Sequence, residues 1–213
     1  MNHYRQFSYH IKGLINWLGA EPGLDPKTIS KNILAFLSAK NTSMAEETEL
    51  NKFAEKRNIK CLIHFTHLDN LENILTFGLI PRKFLEEEVI KVALKPKFSD
   101  NQRLDGMGEV NCLSVSFPNY KMFYSKSKDN PNDWAVILFN LDVILKHRCK
   151  FTSDNLASRQ SKPFDGIKGA EQLFSDSNLR QKLKLPSYYT TNPQSEVLEY
   201  SVIPPSWIKE VHV

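Results

Sequence analysis

The chain has 213 residues, of which 41% are hydrophobic and 24% charged, a composition that suits one globular domain and excludes wholesale disorder. Its apolar runs fall short of the roughly 20 residues that span a bilayer, and the first residues do not resemble a secretory signal, so no membrane partner is expected. The net charge of +4 gives a mild preference for polyanions, and three widely separated cysteines favour a reducing, cytoplasmic setting over a disulfide framework.

The first part of the chain, residues 1–58, is predicted to be helical throughout. Asp25-Pro26 provides an N-cap followed by proline at the first helical position. Ser43 and Glu46 have the spacing of a capping box, which predicts the start of another helix. Because this region carries no recognisable chemistry, we interpret it as a helical cap on a second part, residues 59–213.

In that second part, short strands and helices alternate without regular βαβ units, which predicts an α+β fold. Residues 134–140 (WAVILFN) are a continuous apolar run of strand length and are predicted to be the central, fully buried strand. The other strand-like segments are residues 61–66, 111–117, 149–152, 195–202 and 208–213, and the helical segments are 68–77, 120–124, 170–183 and a stretch that begins at 83.

A first motif covers residues 63–82, IHFTHLDNLENILTFGLIPR. His64 stands near the end of a strand, a helix follows, and Gly78 occupies the position of a left-handed C-terminal residue. A lone histidine of this kind is more often a hydrogen-bonded structural residue than a ligand. His64 and His67 lack the further Cys, His or Asp ligands of a zinc site, so no metal is expected.

Two further motifs lie toward the C-terminus. Residues 114–126 (SVSFPNYKMFYSK) lead from a strand through a proline into a short aromatic helix. Residues 193–203 (PQSEVLEYSVI) place Glu196 on a strand of otherwise apolar alternation. A glutamate within a strand is usually the solvent-facing residue of the alternation, and we assign Glu199 that role.

Together, and in this order, the three motifs resemble those of the DarT family of DNA ADP-ribosyltransferase toxins. HFTHLDNLENIL-x-x-GL is similar to the first family motif, FPNYKMFY to the aromatic-proline motif, and QSEVLEY to the final motif, commonly written QAEVL. The resemblance covers about residues 61–213. It implies an ADP-ribosyltransferase-like fold of split, mixed sheets around an NAD⁺ cleft, with NAD⁺ as the substrate and no metal.

The resemblance also implies roles for particular residues. Glu196 would be the catalytic carboxylate, joined by Lys121 where one branch of the family has arginine. His64 would contact the nicotinamide side of NAD⁺ with support from Asn73. We expect further NAD⁺ contacts from Phe65, Thr66, Arg82, Tyr120 and Tyr124, and contacts to the acceptor from Tyr188 and Tyr189.

The chemistry explains why a strand-borne carboxylate is needed. Loss of nicotinamide leaves an oxocarbenium-like centre on the ribose, the same charge problem that glycosidases solve with carboxylates. A fixed carboxylate can stabilise that charge and accept a proton from the attacking base. The base must be unstacked or single-stranded to reach the ribose carbon. Neither a GxGxxG turn nor a P-loop is present, so no other nucleotide-binding fingerprint competes.

We therefore expect transfer of ADP-ribose to a base in single-stranded DNA, guanine before thymine, within a toxin–antitoxin or phage-defence system. The implied partner is an antitoxin with a macrodomain-like or NADAR-like hydrolase activity. Two alternatives stay open: an NAD⁺-dependent transferase that acts on protein or RNA, and a non-enzymatic NAD⁺- or DNA-binding module. Retention of Glu196 argues against the last, since a module that only binds has no need of that carboxylate.

Overall fold

The computed structural model describes residues 41–99, 108–158 and 161–213. The helix predicted after Asp25 lies outside these residues. Helix α1 (Met44–Arg57) begins as predicted, because the Ser43 side chain accepts a hydrogen bond from the Glu46 N–H at 3.3 Å. It ends at Asn58, whose left-handed conformation lets its own N–H reach the last carbonyls of the helix.

Helix α1 packs against the helices Asp142–Lys146 and Gly166–Gln172, and it shares the main hydrophobic core with the sheet. Leu50 and Ala54 are 2% and 1% exposed and belong to the same hydrophobic core as Leu62 and Ile137. At about 25 cal/mol per Å² of apolar surface removed from water, this burial stabilises the packing of the helix in that core. The division of the chain at residue 58 stays a prediction, but α1 shares its core with residues of the second part.

After α1, strands and short helices alternate as an α+β fold requires. The strands are β1 (Leu62–His67), β2 (Asn111–Val115), β3 (Trp134–Phe139), β4 (Lys150–Thr152), β5 (Phe164–Asp165), β6 (Glu196–Glu199) and β7 (Ile208–His212). The helices are α2 (Leu71–Phe77), α3 (Arg82–Leu85), α4 (Glu88–Leu94), α5 (Tyr120–Ser127), α6 (Asp142–Lys146), α7 (Gly166–Gln172) and α8 (Ser177–Lys182). Single 3₁₀ turns precede α2, β3 and β7.

The helix predicted over residues 170–183 is in fact two helices. The first helix ends at Gln172, and Asp176, with a φ of 62°, directly precedes the second. Its side chain then accepts a hydrogen bond from the Leu179 N–H at 2.9 Å and caps α8. The helical spacing of the apolar residues hid this break, because Asp176 is an ordinary surface residue in the sequence pattern.

The strands form one seven-stranded sheet in the order β5-β4-β6-β2-β1-β3-β7. Every described pairing is antiparallel. The prediction that residues 134–140 form the central, fully buried strand was wrong: β3 is second from one edge, and its residues Val136 and Leu138 are only half-buried. An apolar side chain can occupy a half-covered face as well as a core face, so the run alone did not fix the position.

Strand β2 lies at the centre and is shared by two half-sheets. Its residues 111–113 pair with β6, whereas its residues 114 and 115 pair with Ile63 and Leu62 of β1. Beyond Ile63, the described partner of β1 is β3. Strands β1 and β6 therefore lie on opposite sides of β2 and pair with different parts of it, and this is the split that the resemblance implied.

Gly78 joins the first motif to the C-terminal part of the chain. Its φ of 88° is positive, but its ψ of 177° is extended, so the predicted left-handed C-terminal residue is not formed. A Cβ at this position would lie 2.3 Å from the Ile203 carbonyl oxygen. The absent side chain allows Leu79 and Ile203 to exchange two backbone hydrogen bonds of 2.9 and 3.0 Å.

Candidate active site

A cavity of about 160 Å³ opens beside the split between β1 and β2. Its walls are residues 64–67 of β1, one face of α2, residues 94–99, and residues 110–112 at the start of β2. Five of the residues predicted to contact NAD⁺ line it: His64, Phe65, Thr66, Asn73 and Arg82.

The His64 side chain bridges the split. Its Nδ1 lies 3.0 Å from the carbonyl oxygen of Cys112, at the point where β1 no longer pairs with β2. Because a carbonyl oxygen only accepts, Nδ1 carries the proton in this contact. His64 is thus a hydrogen-bonded structural histidine and a wall residue of the cavity at the same time.

Two asparagines of the first motif hold one wall of the cavity in place. Asn70 accepts from the Lys97 N–H and donates to the Lys97 carbonyl, both at 2.8 Å, and it also donates to the Thr66 hydroxyl at 2.9 Å. Asn73 donates to the Leu94 carbonyl at 2.8 Å. Asn73 therefore supports the cavity by positioning the backbone opposite. Sequence reasoning missed Asn70, although its place in the same motif was a usable signal.

Arg82 gives the cavity a largely buried cation. Its side chain is 12% exposed, its Nε donates to Glu86 at 2.6 Å, and its guanidinium lies 4.3 Å from the centre of the Phe98 ring. Stacking on an aromatic face and pairing with a carboxylate both fix the planar group. The arrangement suits a ligand that has an anionic part beside an aromatic or apolar part.

Glu196 lies on the other half-sheet, at the first position of β6. It is 8% exposed, and its Oε2 accepts a hydrogen bond from the Leu156 N–H at 2.8 Å. It does not line the cavity. Asn111 and Cys112 do line it and pair with β6, so β6 is the strand next to the cavity on that side. That His64 and Glu196 flank one cleft stays a prediction.

Glu199, at the other end of β6, is not the solvent-facing residue that the strand pattern predicted. It is 2% exposed and accepts hydrogen bonds from the Cys149 thiol at 3.0 Å and the Ser201 N–H at 2.8 Å. His147 Nδ1 lies 3.3 Å from its Oε1. Burial, reinforced by the charge of Glu199, raises the pKa of the Cys149 thiol well above its usual range. The prediction failed because β6 is covered on both faces.

The predicted residues of the middle motif do not reach the cavity. Tyr120 and Tyr124 are 50% and 70% exposed, Lys121 is exposed, and none of them lines the cavity. Helix α5 is anchored instead through Phe123, whose ring lies 5.0 Å from that of Phe65. The side chains of Tyr120, Lys121 and Tyr124 therefore form an exposed aromatic and basic surface.

Tyr188 and Tyr189 lie in the loop of residues 186–191 that leads toward Glu196. Their rings are 5.0 Å apart, and the Tyr189 ring is 5.4 Å from that of Phe117, which is 46% exposed. Tyr188 also packs against the main core. Neither tyrosine lines the cavity, so the predicted acceptor contacts lie apart from the five predicted NAD⁺ contacts that do.

Comparison with known proteins identifies the family of the chain. The family described as "ssDNA thymidine ADP-ribosyltransferase, DarT" matches residues 63–213. The chain belongs to the DarT family. The match begins within β1 and includes all three motifs that carried the resemblance, whereas α1 precedes it. No curated protein matches the sequence.

The chain is also similar to solved structures. Thermosipho africanus DarTG in complex with ADP-ribose is similar with 19% identity and a TM-score of 0.51, over 72% of this chain and 44% of that one. Thermus sp. 2.9 DarT in complex with NAD⁺ has 15% identity and a TM-score of 0.46, over 71% and 80%. The first of these likenesses shows the DarT fold, and this chain spans less than half the length of that DarTG protein.

Two other classes of site are absent from the described residues. Among residues 41–99, 108–158 and 161–213, no three His, Cys, Asp or Glu side chains are grouped so that they could hold a metal ion. In the same residues, no helix has the length and apolar character needed to cross a membrane.

Proposed function

We propose that this DarT-family chain transfers ADP-ribose from NAD⁺ to a base in single-stranded DNA, with Glu196 as the catalytic carboxylate. The observation that carries the proposal is the buried side chain of Glu196, held by a backbone N–H on a strand of the family-matched region. Burying a carboxylate costs free energy unless it is hydrogen-bonded. A buried carboxylate that is kept hydrogen-bonded within the family-matched region supports a role in chemistry.

The cavity supports NAD⁺ as the substrate. Phe65 and Phe98 offer aromatic surface to the rings of a dinucleotide, His64 offers a polar group, and Arg82 offers a cation near its pyrophosphate. The volume of about 160 Å³ is below the roughly 300–1,000 Å³ of typical ligand sites, so one part of NAD⁺ would enter while the rest extends along the opening.

Glu196 would act on the transition state. As nicotinamide leaves, positive charge develops on the ribose, and a fixed carboxylate stabilises it more than it stabilises bound NAD⁺. The same oxygens can hold the ribose 2′-hydroxyl and take the proton that the acceptor base gives up. The Leu156 N–H keeps the carboxylate oriented, so little reorganisation is needed during the reaction.

The acceptor base distinguishes two versions of the proposal. The middle motif, with Lys121 where one branch has arginine, favours guanine, whereas the family description names thymidine. The exposed Tyr120, Lys121 and Tyr124 support single-stranded nucleic acid over protein as the acceptor, because bases need stacking surfaces and phosphates need cations. We also propose that a cognate hydrolase removes the modification, as in a toxin–antitoxin pair.

The test combines NAD⁺ with short single-stranded oligonucleotides, each containing one kind of reactive base, and measures the product mass. We expect a mass gain of one ADP-ribose on a single base type, lost in Glu196→Gln and retained in Glu49→Gln, which changes an exposed glutamate of α1. Transfer should weaken as salt rises, because Lys and Arg contacts to phosphate are screened. Modification of a protein while every oligonucleotide stays unchanged would favour the protein acceptor instead.

A further inference from the structure

The loop of residues 186–191 is held mainly through its backbone carbonyls by an arginine of α8. Arg180 Nη1 donates to the Tyr189 carbonyl at 2.6 Å and to the Thr191 hydroxyl at 3.3 Å. Arg180 Nη2 donates to the Pro186 carbonyl at 2.9 Å and reaches the Ser187 carbonyl at 3.5 Å. One planar guanidinium therefore spans the whole loop, which a single ammonium group could not do.

A second arginine holds the same loop from α1. Arg57 Nη1 lies 3.5 Å from the Ser187 carbonyl, and the Ser187 hydroxyl donates to the Arg57 carbonyl at 2.8 Å. Arg57 is the last residue of α1 and lies outside the family match, which begins at residue 63. A helix outside the matched region thus takes part in fixing this loop.

The two guanidinium groups share one aromatic support. The Phe174 ring lies 4.1 Å from the Arg57 guanidinium carbon and 5.3 Å from that of Arg180, and Phe53 lies 5.1 Å from Arg57. Burial, together with the charge of Arg180, lowers the pKa of Arg57, while the charge of Glu171 opposes that change. Two like charges stay close here because aromatic faces and loop carbonyls compensate them.

The held loop presents an aromatic surface. Its Tyr189 ring contacts that of Phe117, which is 46% exposed, and its Tyr188 ring meets Tyr189 nearly edge-on. Stacking on such side chains is how proteins bind unpaired bases without reading the whole sequence. The orientation of this surface depends on the backbone that Arg57 and Arg180 hold.

Glu196 has a different set of supports. Asn192 donates to Asp154 at 3.1 Å, Ser195 donates to the Ser153 carbonyl at 3.1 Å, and Leu156 donates to Glu196 itself. These contacts tie the turn before β6 to residues 153–156. The loop is therefore anchored mainly to α8 and α1, whereas the carboxylate is anchored mainly to residues 153–156, although the Thr190 hydroxyl also donates to the Asn192 carbonyl at 2.8 Å.

We infer that Arg57 and Arg180, together the arginine clamp, are positioning residues that hold the loop of residues 186–191 where it receives the acceptor base. The inference rests on the proposed function and deepens it, because it assigns acceptor recognition to the loop and a role in it to α1. The arginine clamp affects binding of the nucleic-acid acceptor. It does not affect binding of NAD⁺, which we assign to the cavity around His64 and Arg82.

The test compares Arg180→Ala and Arg57→Ala with controls that remove an exposed charge from the same helices, Lys182→Ala and Lys56→Ala. We expect the KM for the oligonucleotide to rise roughly tenfold or more in Arg180→Ala, as loss of several charged hydrogen bonds implies, and less in Arg57→Ala. The NAD⁺ dissociation constant should change by less than about twofold, and both controls should behave like the wild type.

Conservative variants separate positioning from loss of charge or of folding. Arg180→Lys keeps the charge but not the fork, so its KM for the oligonucleotide should stay high, and ethylguanidinium should partly restore Arg180→Ala whereas ethylammonium should not. If Arg180→Ala does not fold, Arg180→Gln and Arg57→Ala carry the same comparison. An unchanged KM for the oligonucleotide would contradict the proposed role of the arginine clamp. An equal loss of affinity for NAD⁺ and for the oligonucleotide would contradict it as well.

Amide hydrogen exchange tests whether Arg180 holds the loop, even if no ADP-ribose is transferred. The Tyr189 and Thr191 N–H groups donate to the Pro186 and Leu173 carbonyls at 3.1 and 2.8 Å, so both should exchange faster in Arg180→Ala, and not in Lys182→Ala. If the wild type transfers nothing to DNA but these amides lose protection in Arg180→Ala, the proposed function has failed and only the hold of Arg180 on the loop stands. If transfer occurs and the amides keep their protection, the clamp has failed alone.

Discussion

The two ends of β6 carry two buried glutamates with different surroundings. Glu199 is 2% exposed and is held by groups from two segments, His147 and Cys149 just before β4 and Ser201 just after β6. Glu196 is 8% exposed and accepts from a backbone N–H of the segment that comes after β4. Burial alone therefore does not identify a catalytic carboxylate; the kind of group that holds it and the half-sheet it borders are more informative.

Strand geometry explains why the two residues can differ so much. Glu196 pairs with Thr152 of β4, while Glu199 pairs with Asn111 of β2. Residues three apart on a strand point to opposite faces. Glu199 faces the packed side with His147 and Cys149, so its surroundings are internal donors. We assign Glu199 to stability and Glu196 to chemistry, and substitutions at the two positions test that division.

The largest effect is expected from Glu196→Gln. Glutamine keeps the size and can still accept from the Leu156 N–H, but it lacks the negative charge and the proton acceptor. Transfer should fall on the order of 10²-fold or more while the NAD⁺ dissociation constant changes little, because the carboxylate acts on the transition state. Rate and affinity measured on one preparation check this, and near-normal transfer would place the chemistry elsewhere.

Glu199→Gln should have the opposite effect: it should lower stability and leave the transfer rate nearly unchanged. The new amide presents donors where the Ser201 N–H and the Cys149 thiol also donate, so a buried donor loses its acceptor. We expect the free energy of unfolding to fall by about 1–3 kcal/mol, with transfer per folded molecule nearly unchanged. Denaturant unfolding and an activity assay normalised to folded protein test this. A rate loss equal to that of Glu196→Gln would contradict the division.

The same contrast shows how far sequence reasoning reached. The α+β class, the split sheet and five wall residues of the cavity could be predicted from motifs whose spacing is local to one strand and one helix. The surroundings of Glu199 could not, because His147 and Cys149 lie about 50 residues away in sequence and meet it only through the pairing of β4 with β6. The contact of Arg57 with the loop was missed for the same reason, since Arg57 and Ser187 are 130 residues apart.

The pH dependence of stability tests the contribution of Cys149, the buried thiol beside Glu199. Burial raises the pKa of its thiol well above the usual range, so above about pH 8.5 the unfolded chain loses a proton that the folded chain keeps. Stability is therefore full below that pH and is lost as pH rises toward the raised pKa. Cys149→Ala should decline less steeply between about pH 8.5 and 10, by at most about 1.4 kcal/mol per pH unit.

Two other groups with raised pKa values also affect how stability depends on pH in this alkaline range. Burial raises the pKa of Tyr200 to about 12, so its contribution has the same sign but begins at higher pH. Burial also raises the pKa of Cys61, which makes Cys61→Ala the matched control with a smaller change in slope. Identical pH slopes for the wild type and Cys149→Ala, measured by denaturant unfolding, would show that the thiol does not contribute.

The smallest expected effect is the coupling between the two glutamates. Their Cα atoms are about 10 Å apart along the strand at roughly 3.3 Å per residue, and substitutions at that separation without shared partners usually add within about 0.5 kcal/mol. The double variant, Glu196→Gln with Glu199→Gln, should therefore combine the rate loss of the first with the stability loss of the second. Rate and unfolding free energy measured for all four proteins complete the cycle.

A coupling in the rate of more than about 1 kcal/mol would mean that Glu199 holds β6 in register for catalysis. Glu199 would then be a positioning residue for Glu196, and the division between the two ends of the strand would not hold.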